Sequence, residues 1–432
     1  MRILVITVGS RGDVQPYVAL GKGLQSAGHD VTLATCARFR SFVTDQGLAY
    51  GELSDDILQL LDSASGRAAM EDTTGLLGAV RTNIRLARQA NPINRRLLTD
   101  AWAAARQAEP DLVVYHPKVL AGPHIAERLG VPVVLALPVP VAVPTGDFPL
   151  VGLPELPLGR WYNRLTYRLA GAGYRMYDGM VNTFRRDALG LPKTRGAALT
   201  TRLPDGRPIP VLHGISEHVL PRPADWPGHA HLTGYWFLDD AARWQPPAAL
   251  VDFIEAGDPP VYVGFGSMAG RDSRRLTRLV GEALRRAGVR GIVATGWGGL
   301  AATAPSGTES SDTVWHLTQA PHDWLFPRMS AVVHHGGAGT TAAALRAGKP
   351  SVICPFLLDQ FVWGRQVFAL GAGSAPIPQR KLTAQRLATA IRAVTTDADI
   401  RAAAAKLGRS LASEDGVANA VGRIDALLGP TG

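Results

Sequence analysis

The chain has 432 residues, of which 46% are hydrophobic and 19% charged, and its formal net charge is +9. This length exceeds what one ordinary hydrophobic core organises, so we expect two domains of roughly 200 residues, and the composition excludes a disordered chain. The apolar runs are shorter than the ~18 residues of a membrane-spanning helix, and the two cysteines, Cys36 and Cys354, predict no disulfide framework. We therefore expect a globular, cytoplasmic protein.

The positive charge is carried mainly by arginines that are scattered along predicted helices, as in RDSRRLTRLVGEALRRAG at 271–288. A nucleic-acid surface would need a long basic run with interleaved aromatic residues, and the chain has none. We expect a solvated, arginine-rich surface and no nucleic-acid partner. Weak peripheral contact with an anionic membrane is the alternative that the charge leaves open.

In the first half of the chain, short apolar runs alternate with segments of helical spacing. The runs RILVITV (2–8), VTLATC (31–36), DLVVYH (111–116) and VPVVLAL (131–137) predict buried strands. Alternation of strand and helix predicts a parallel sheet with helices on both faces.

The same alternation begins again in the second half. PVYVGFGSM (260–268) predicts a buried strand that ends in glycines, and a helix follows at about 273–287. The further predicted strands are GIVATG (291–296), TVWHL (313–317), SAVVHH (330–335) and SVICPF (351–356). The α/β pattern therefore predicts two facing, Rossmann-like doubly wound domains with a ligand cleft between them. Their predicted bounds are 1–222 and 248–415, with a Pro- and Trp-rich linker at 223–247 and a C-terminal helix at 416–432 that packs back on the first domain.

The clearest candidate site is the turn HHGGAGTT at 334–341, between a predicted strand and a predicted helix. The first N–H groups of a helix have no partner, and the helix dipole favours an anion there. Glycines let the backbone approach a phosphate closely, and His335 can donate a hydrogen bond to it. The alternative is a tight turn that His335 caps. The predicted phosphate-binding residues are His335, Gly337, Ala338, Gly339 and Thr340.

Two further turns carry polar side chains. Asp359 and Gln360 follow the strand SVICPF and suit vicinal sugar hydroxyls; a helix N-cap by Asp359 is the alternative. GSRGD at 9–13 follows the first strand and ends in Asp13. A carboxylate there can take a proton from a hydroxyl, and here too an N-cap is the alternative.

Other site classes fit the sequence poorly. No GxxxxGK[ST] phosphate loop occurs, and GFGSMAG at 264–270 departs from the spacing of a dinucleotide fingerprint. A zinc site fails because neighbouring strand residues point to opposite faces and no Cys pair is near. The histidines excluded on this ground are His316, His322, His334 and His335. We expect neither a metal nor another cofactor.

Several of these segments resemble the family 1 glycosyltransferases, which have the GT-B fold. They are GSRGDVQPYVALGKGLQSAGHDVTLAT, FGSM and PHDWLFPRMSAVVHHGGAGTTAAALRAGKPSVICPFLLDQFVWGRQV. LPLGRWYNRLTYRL, FRRDALGLP and LTGYWFLD resemble the sterol 3-β-glucosyltransferases in particular, and actinobacterial antibiotic glycosyltransferases are also similar. The resemblance implies inverting transfer from a nucleotide sugar.

The resemblance also implies roles for individual residues. Asp13 stands where many members have a histidine base. The turn after His335 would bind the pyrophosphate, and Asp359 with Gln360 would bind the sugar. The remaining implied donor contacts are Ser10, Arg11, Gly12, Ser267, Gln319, His322 and Trp324. Gln319 replaces a tryptophan that stacks on the base in plant members, so UDP and dTDP both stay open.

The acceptor is expected on the first domain, where segments 55–95 and 138–180 are irregular and rich in apolar and aromatic residues. They could wall a pocket for a flat lipophilic molecule; the alternative is that the aromatic residues near 160–177 are core. The predicted acceptor contacts are His116, Phe148, Trp161 and Tyr162, and His116 could instead orient Asp13 or be a satisfied core histidine.

Together these features predict an inverting glycosyltransferase. It would move a hexose, with glucose as the expected sugar, from a UDP-sugar to a hydroxyl of a sterol-like or natural-product aglycone. The alternatives are a dTDP-deoxysugar transferase of antibiotic biosynthesis and, from another class, a non-catalytic nucleotide-sugar-binding protein.

Overall fold

The computed structural model describes residues 1–62, 76–266, 273–295 and 313–428. The chain divides into two compact units. Unit 1 comprises Met1–Glu217, Pro221–Leu238 and Asp415–Gly432, and unit 2 comprises His218–Leu220 and Asp239–Glu414. Each unit has a parallel sheet flanked by helices, so the predicted α/β class with two doubly wound domains is confirmed.

Unit 1 contains a seven-stranded parallel sheet in the order β3-β2-β1-β4-β5-β6-β7. Its central strands are buried on both faces, which explains their near-continuous apolar sequences. The strands are β1 (Arg2–Ile6), β2 (Asp30–Cys36), β3 (Ala49–Leu53), β4 (Leu112–Tyr115), β5 (Val133–Leu137), β6 (Val211–His213) and β7 (Ala230–Leu232). The helices before the crossing into unit 2 are α1 (Arg11–Ser26), α2 (Arg40–Thr44), α3 (Asp56–Asp62), α4 (Leu76–Ala108), α5 (Gly122–Leu129), α6 (Gly159–Tyr174) and α7 (Asp178–Asp187).

Unit 2 contains a five-stranded parallel sheet in the order β10-β9-β8-β11-β12. The strands are β8 (Val261–Gly264), β9 (Gly291–Ala294), β10 (Val314–Leu317), β11 (Ala331–His334) and β12 (Ser351–Ile353). The helices are α8 (Ala248–Glu255), α9 (Ser273–Ala287), α10 (His322–Leu325), α11 (Ala338–Arg346), α12 (Asp359–Ala369), α13 (Ala384–Thr396) and α14 (Ala398–Ala412).

The last helix, α15 (Gly416–Leu428), belongs to unit 1. Asn419 Nδ2 donates to the Thr233 carbonyl at 3.0 Å, and His29 Nε2 lies 2.9 Å from Asp425 Oδ1. The chain therefore returns to unit 1 after completing unit 2.

The segment expected as a linker, 223–247, is divided between the two units at residues 238 and 239. Its first part contains β7 and the buried side chains of Trp226 and Trp236. β7 has three residues, too few for periodicity to distinguish a strand from a loop rich in Pro and Trp.

Each sheet has one position where the strand order reverses. In unit 1 it lies between β1 and β4, and in unit 2 between β8 and β11. Connections on the two sides of such a point leave to opposite faces, so a crevice opens at the carboxyl ends of these strands. The turn that carries Asp13 follows β1, and the turn that carries His335 follows β11. In the described residues, no helix combines the length and apolarity needed to traverse a lipid bilayer.

Candidate active site

Asp13 is held at the start of α1 by its own turn. The helix begins at Arg11 after the N-cap Ser10, so Asp13 occupies the third helical position and caps the helix from there, not from the N-cap position itself. Asp13 Oδ2 accepts from the Ser10 backbone N–H at 2.8 Å and from the Ser10 hydroxyl at 3.1 Å. This is the carboxylate half of a capping box, and it fixes one of the two carboxylate oxygens.

The other oxygen, Asp13 Oδ1, faces the end of β4. Lys118 Nζ donates to it at 2.8 Å, and His116 Nε2 lies 3.5 Å away. Asp13 retains 19% side-chain exposure. One carboxylate oxygen thus caps the helix, while the second is hydrogen-bonded to the half-exposed Lys118 at the switch point of unit 1.

His116 is positioned to orient Asp13. Its Nδ1 accepts from the Lys118 backbone N–H at 3.0 Å, so the neutral ring carries its proton on Nε2, the atom that faces Asp13. Burial, opposed by Asp13 and helped by Lys118, lowers the pKa of His116 to about 3, so the ring is neutral at physiological pH. His116 is 3% exposed, and its contacts with Lys118 and Asp13 favour the orienting role over direct acceptor contact.

The electrostatics favour the ionised form of Asp13. Burial by itself would raise the pKa of this carboxyl, but the positive charge of Lys118, the electrostatic effect of the nearby His116 ring and the hydrogen bonds from Lys118 and Ser10 hold it below the ordinary 3.8. Sequence reasoning missed Lys118, since one lysine after a strand forms no pattern. The observation that reveals it is the pairing of β4 with β1.

Gly9 is required beside this carboxylate. Its φ is +135°, and a Cβ at this position would lie 2.3 Å from Asp13 Oδ2. We expect Gly9→Ala to displace the carboxylate and to lower kcat by about 10²-fold, the size of effect that a misplacement near 1 Å produces.

The matched control is Gly28→Ala, at φ +90°, where the described part of the chain places no heavy atom within 4 Å of the added carbon. It introduces similar backbone strain but leaves Asp13 in place, so kcat should stay near wild type. The measurement is kcat of both folded variants by steady-state kinetics. An equal loss of kcat in the two variants would contradict the role given to Gly9.

Lys118 should set the acid limb of the pH–rate profile. Lys118→Met removes the charge that stabilises ionised Asp13, so the acid limb of kcat/KM should move to higher pH. Lys118→Arg keeps the charge and should keep the limb near its wild-type position. The measurement is kcat/KM from pH 4 upward, and an unshifted limb in Lys118→Met would show that Lys118 does not act on Asp13.

The other predicted residues of this turn differ in their surroundings. Arg11 Nε donates to Gln15 Oε1 at 3.0 Å, and its guanidinium lies 4.8 Å from the Phe42 ring centre. Gly12 is exposed. Ser10 uses both its N–H and its hydroxyl on Asp13. Their donor contacts stay predictions.

The predicted acceptor residues lie on or before α6. Phe148 packs against the small core that contains Trp226. Tyr162 donates to the Pro154 carbonyl at 2.8 Å, whereas Trp161 is 62% exposed. Tyr167 is buried, so the core alternative holds for Tyr167 and is wrong for Trp161. Part of the predicted acceptor segment 55–95 lies outside the described residues.

In unit 2, the glycine turn leads into the uncapped N-terminus of α11. Gly337 is the N-cap, with no side-chain capping bond at this end. The first intrahelical bond runs from Thr341 N–H to the Gly337 carbonyl at 2.9 Å. The N–H groups of Ala338, Gly339 and Thr340 therefore precede the hydrogen-bonded ladder, which suits an anion.

His335 lies over this helix end. A Cβ at Gly337 would be 2.5 Å from His335 Nε2, and one at Gly266 would be 3.4 Å from His335 Cε1. The imidazole thus requires glycine at 337, and the alternative that His335 caps the helix is wrong. Burial lowers the pKa of His335 to about 4, so it is a neutral hydrogen-bond donor at pH 7. Its Nδ1 is buried, with no hydrogen-bond partner among the residues that the structure describes.

The neighbouring His334 has a structural role. It is fully buried, and its Nδ1 accepts from the Gly336 N–H at 3.1 Å. This bond shapes the turn that exposes the start of α11. The two histidines of the motif therefore differ in function, as the alternation of side chains along a strand predicts.

The glycine turn also contacts the start of α12. Gly336, at φ +91°, leaves no room for a side chain, because a Cβ would lie 2.7 Å from Ile353 Cγ2 and 3.0 Å from the Gln360 carbonyl. The structure thus brings the predicted phosphate turn and the Asp359–Gln360 pair together within unit 2.

Asp359 and Gln360 are both tied to their own segment. Leu358 is the N-cap of α12, so the N-cap alternative for Asp359 is wrong; Asp359 Oδ2 accepts from Trp363 Nε1 at 3.1 Å. Gln360 Oε1 accepts from the N–H groups of Phe356 and Leu357 at 2.8 and 3.2 Å. The side-chain oxygen of Gln360 is therefore used within the protein, so the predicted contact with a sugar hydroxyl would have to come from its amide NH₂.

Leu358 holds a strained backbone beside this pair. Its φ is +52° and ψ −127°, and its side chain is 58% exposed. A non-glycine residue in this conformation carries a strain of about 1–3 kcal/mol in the folded protein. Glycine would relieve the strain, but it would also increase the entropy of the unfolded chain, which offsets part of the gain. Leu358→Gly should therefore raise the free energy of unfolding by about 1 kcal/mol.

The control is Leu358→Ala, which removes the side chain but keeps the strain and should give no such gain. Chemical denaturation of the three proteins distinguishes the outcomes. If the glycine variant were less stable than the alanine variant, the claim that Leu358 has a strained backbone would be contradicted.

The residues predicted to lie near the nucleotide follow β10. Gln319 is exposed, and His322 stacks on Phe326 with 4.2 Å between ring centres. Trp324 meets Trp244 edge-on at 4.8 Å. Ser267 lies outside the described residues.

The zinc alternative finds no support in the part of the chain that the structure describes. No group of three His, Cys, Asp or Glu side chains there is arranged to hold a metal ion. His334 and His335 point apart, with 6.5 Å between ring centres and an interplanar angle of 89°.

Comparison with known proteins places these sites in a family. Residues 3–143 match the glycosyltransferase family 28 N-terminal domain, and residues 302–427 match the C-terminal domain of erythromycin biosynthesis protein CIII-like proteins. Two sterol 3-beta-glucosyltransferases of Arabidopsis thaliana are 38% and 37% identical over 98% and 100% of this chain, which spans 64% and 68% of their lengths. The chain belongs to their glycosyltransferase family. A sterol 3-beta-glucosyltransferase of Candida albicans is 37% identical, and the chain spans 27% of its length.

Solved structures support the fold of this family. The glycotransferase of kitacinnamycin has a TM-score of 0.71 at 18% identity, with 99% of this chain and 98% of that chain covered. The calicheamicin glycosyltransferase has a TM-score of 0.69 at 19% identity, with 100% and 99% covered. The predicted GT-B class is thereby confirmed, and so is the resemblance to these two groups of glycosyltransferases.

Proposed function

We propose that this chain is an inverting glycosyltransferase that moves glucose from UDP-glucose to a hydroxyl of a sterol-like or natural-product aglycone. The observation that carries the proposal is the ionised, partly exposed carboxylate of Asp13 at the switch point of unit 1. It occurs in a chain whose sterol 3-beta-glucosyltransferase relatives are 37–38% identical over nearly its whole length.

In the proposed reaction, Asp13 Oδ1 takes the proton of the acceptor hydroxyl. The hydroxyl oxygen forms a bond to the anomeric carbon while the bond from that carbon to the diphosphate oxygen breaks. His335 and the N–H groups of residues 338–340 stabilise the charge that develops on the departing diphosphate. Preorganised donors of this kind are commonly the largest catalytic contribution.

His116 and Lys118 prepare the base for this step. The His116 Nε2–H and the Lys118 ammonium face Asp13 Oδ1 and keep it ionised before the acceptor arrives. The acceptor hydroxyl must share or displace the contact with Lys118, whose side chain is 48% exposed and able to move. We propose that the chemistry uses no metal ion, and a cytoplasmic location stays a prediction.

A panel experiment tests this function. The protein is incubated with UDP-glucose, UDP-galactose, dTDP-glucose and a dTDP-deoxysugar against sterol, macrolide and polyphenol acceptors, with and without EDTA, and products are read by mass spectrometry. We expect a glucoside from UDP-glucose that is insensitive to EDTA. Product only from the dTDP-deoxysugar would favour the antibiotic-type alternative, since two glycosyltransferases of similar structure are complexes with thymidine diphosphate.

The binding-protein alternative makes a different prediction. It requires nucleoside diphosphate binding by calorimetry with no glycoside from any acceptor, and no effect of Asp13→Asn. That combination in a folded protein would overturn the proposed function.

A further inference from the structure

Helix α6 carries an apolar stripe that faces solvent. Nine of the thirteen large hydrophobic side chains found exposed in the described residues fall between residues 153 and 199. Three of them, Trp161, Leu165 and Leu169, recur every four residues along α6 and are 62%, 37% and 61% exposed. Residues at this spacing share one face of a helix, so they form a continuous row.

Side chains of α6 outside the stripe fasten the helix to unit 1. Thr166 and Tyr167 are buried. Arg160 and Arg164 both donate to Asp225 Oδ2, at 3.0 and 2.8 Å. The stripe is thus presented by an anchored helix, and its exposure is a property of the folded unit.

The segment that carries the stripe is rich in basic residues, with nine Lys or Arg and three Asp or Glu in residues 153–202. Four of the nine form ion pairs with acidic side chains: Arg160, Arg164, Arg185 and Arg186. The other five are exposed. Arg168 follows Trp161 by seven residues and Leu165 by three, so it lies at the edge of the same helix face. Arg168 and Arg175 are both exposed.

We propose that this face of unit 1, formed by Trp161, Leu165, Leu169, Arg168 and Arg175, docks on an anionic lipid membrane. A helix that lies in the membrane interface combines Trp and Leu on its buried side with basic residues beside them. Trp is favoured at the level of the lipid headgroups, and the negative surface potential attracts each nearby arginine. Charge complementarity thus favours an anionic bilayer as the occupant.

The position of α6 relates membrane docking to catalysis, and this part of the inference rests on the proposed function. Tyr174, the last residue of α6, is close enough to Lys118 to interact electrostatically with its ammonium. Lys118 in turn contacts Asp13. The C-terminal end of α6 is therefore close to the lysine that contacts the proposed base, and on this ground we link membrane docking to the delivery of a lipophilic acceptor.

Vesicle co-sedimentation tests the docking without requiring turnover. The wild-type chain is mixed with phosphatidylcholine vesicles, with and without phosphatidylglycerol. We expect binding that strengthens with phosphatidylglycerol and weakens with salt. Trp161→Ser/Leu165→Ser/Leu169→Ser should lower the partition coefficient by about a hundredfold, which is about fivefold for each half-exposed side chain. Arg168→Gln/Arg175→Gln should lower it about fivefold per arginine for anionic vesicles and little for neutral ones.

The matched control is Phe368→Ser/Leu427→Ser, which removes two exposed apolar side chains that lie outside the stripe, 53% and 43% exposed. It should bind vesicles like wild type, and thermal melts should show all variants folded.

The proposal would be overturned if the wild-type protein did not bind anionic vesicles, or if the triple variant bound them as tightly as wild type. A stripe-dependent dimer seen by analytical ultracentrifugation without vesicle binding would also overturn it. Because co-sedimentation needs no donor, and glycoside formation from a water-soluble acceptor needs no vesicle, failure of docking and failure of the proposed function are distinguishable.

Discussion

Asp13→Asn should lower kcat by about 10²- to 10⁴-fold, the usual contribution of a general base. Asparagine can still accept the Ser10 N–H bond that caps α1, so the helix start should persist. The lost ion pair with Lys118 should change the free energy of unfolding little, because Lys118 is half exposed and solvent screens the pair. Asp13→Asn should thus lower the rate of the chemical step without unfolding the protein.

The measurement is the single-turnover rate with saturating donor, together with the nucleoside diphosphate affinity from calorimetry. Asp187→Asn, which alters an exposed ion pair with Arg186, is the control and should leave both values unchanged. The wild-type acid limb also follows from the structure: because the pKa of Asp13 lies below 3.8, the activity should show no loss that is due to this group between pH 8 and pH 5. A rate in Asp13→Asn within threefold of wild type would remove Asp13 from the mechanism.

His335→Ala should lower kcat by about 10²- to 10³-fold, roughly 3 kcal/mol of transition-state stabilisation. The imidazole is seated on the N-terminus of α11, where Gly337 leaves it room. Its removal takes one donor from the proposed diphosphate site but leaves the N–H groups of α11. His335→Ala should therefore keep part of the catalytic activity. The variant should lower kcat by a larger factor than it lowers the affinity for the nucleoside diphosphate.

The conservative variant His335→Gln retains a side-chain donor and should recover part of kcat. Since the pKa of His335 is about 4, the difference between wild type and His335→Ala should not titrate near pH 6.5. A titration centred there would mean that His335 acts as a cation. Equal kcat in the three proteins would show that the helix N-terminus alone supports the leaving group.

Sequence periodicity gave a close account of the regular elements. The helix predicted at 273–287 and the observed helix Ser273–Ala287 coincide, since its apolar residues recur at helical spacing with arginines between them. The strands that precede Asp13 and His335 were equally clear, because both are apolar runs followed by a glycine-containing turn. Buried parallel strands and amphipathic helices can therefore be predicted from the local sequence alone.

The features that were missed depend on contacts between distant segments. The part played by Lys118 appears only when β4 pairs with β1, more than a hundred residues away in sequence. The side-chain oxygen of Gln360 is used by two backbone N–H groups, which no spacing rule anticipates. The exposure of Trp161 depends on which face of α6 the rest of unit 1 covers, and amphipathic patterning alone does not distinguish core from surface on such a helix.

The stereochemistry of transfer tests the central claim, that an acceptor deprotonated by Asp13 displaces the diphosphate directly. The anomeric configuration of the product formed from α-configured UDP-glucose can be read by proton NMR. A single displacement at the anomeric carbon predicts a β-glucoside. An α-glucoside from the same donor would contradict this account, since it would require either two displacements or a different attacking geometry.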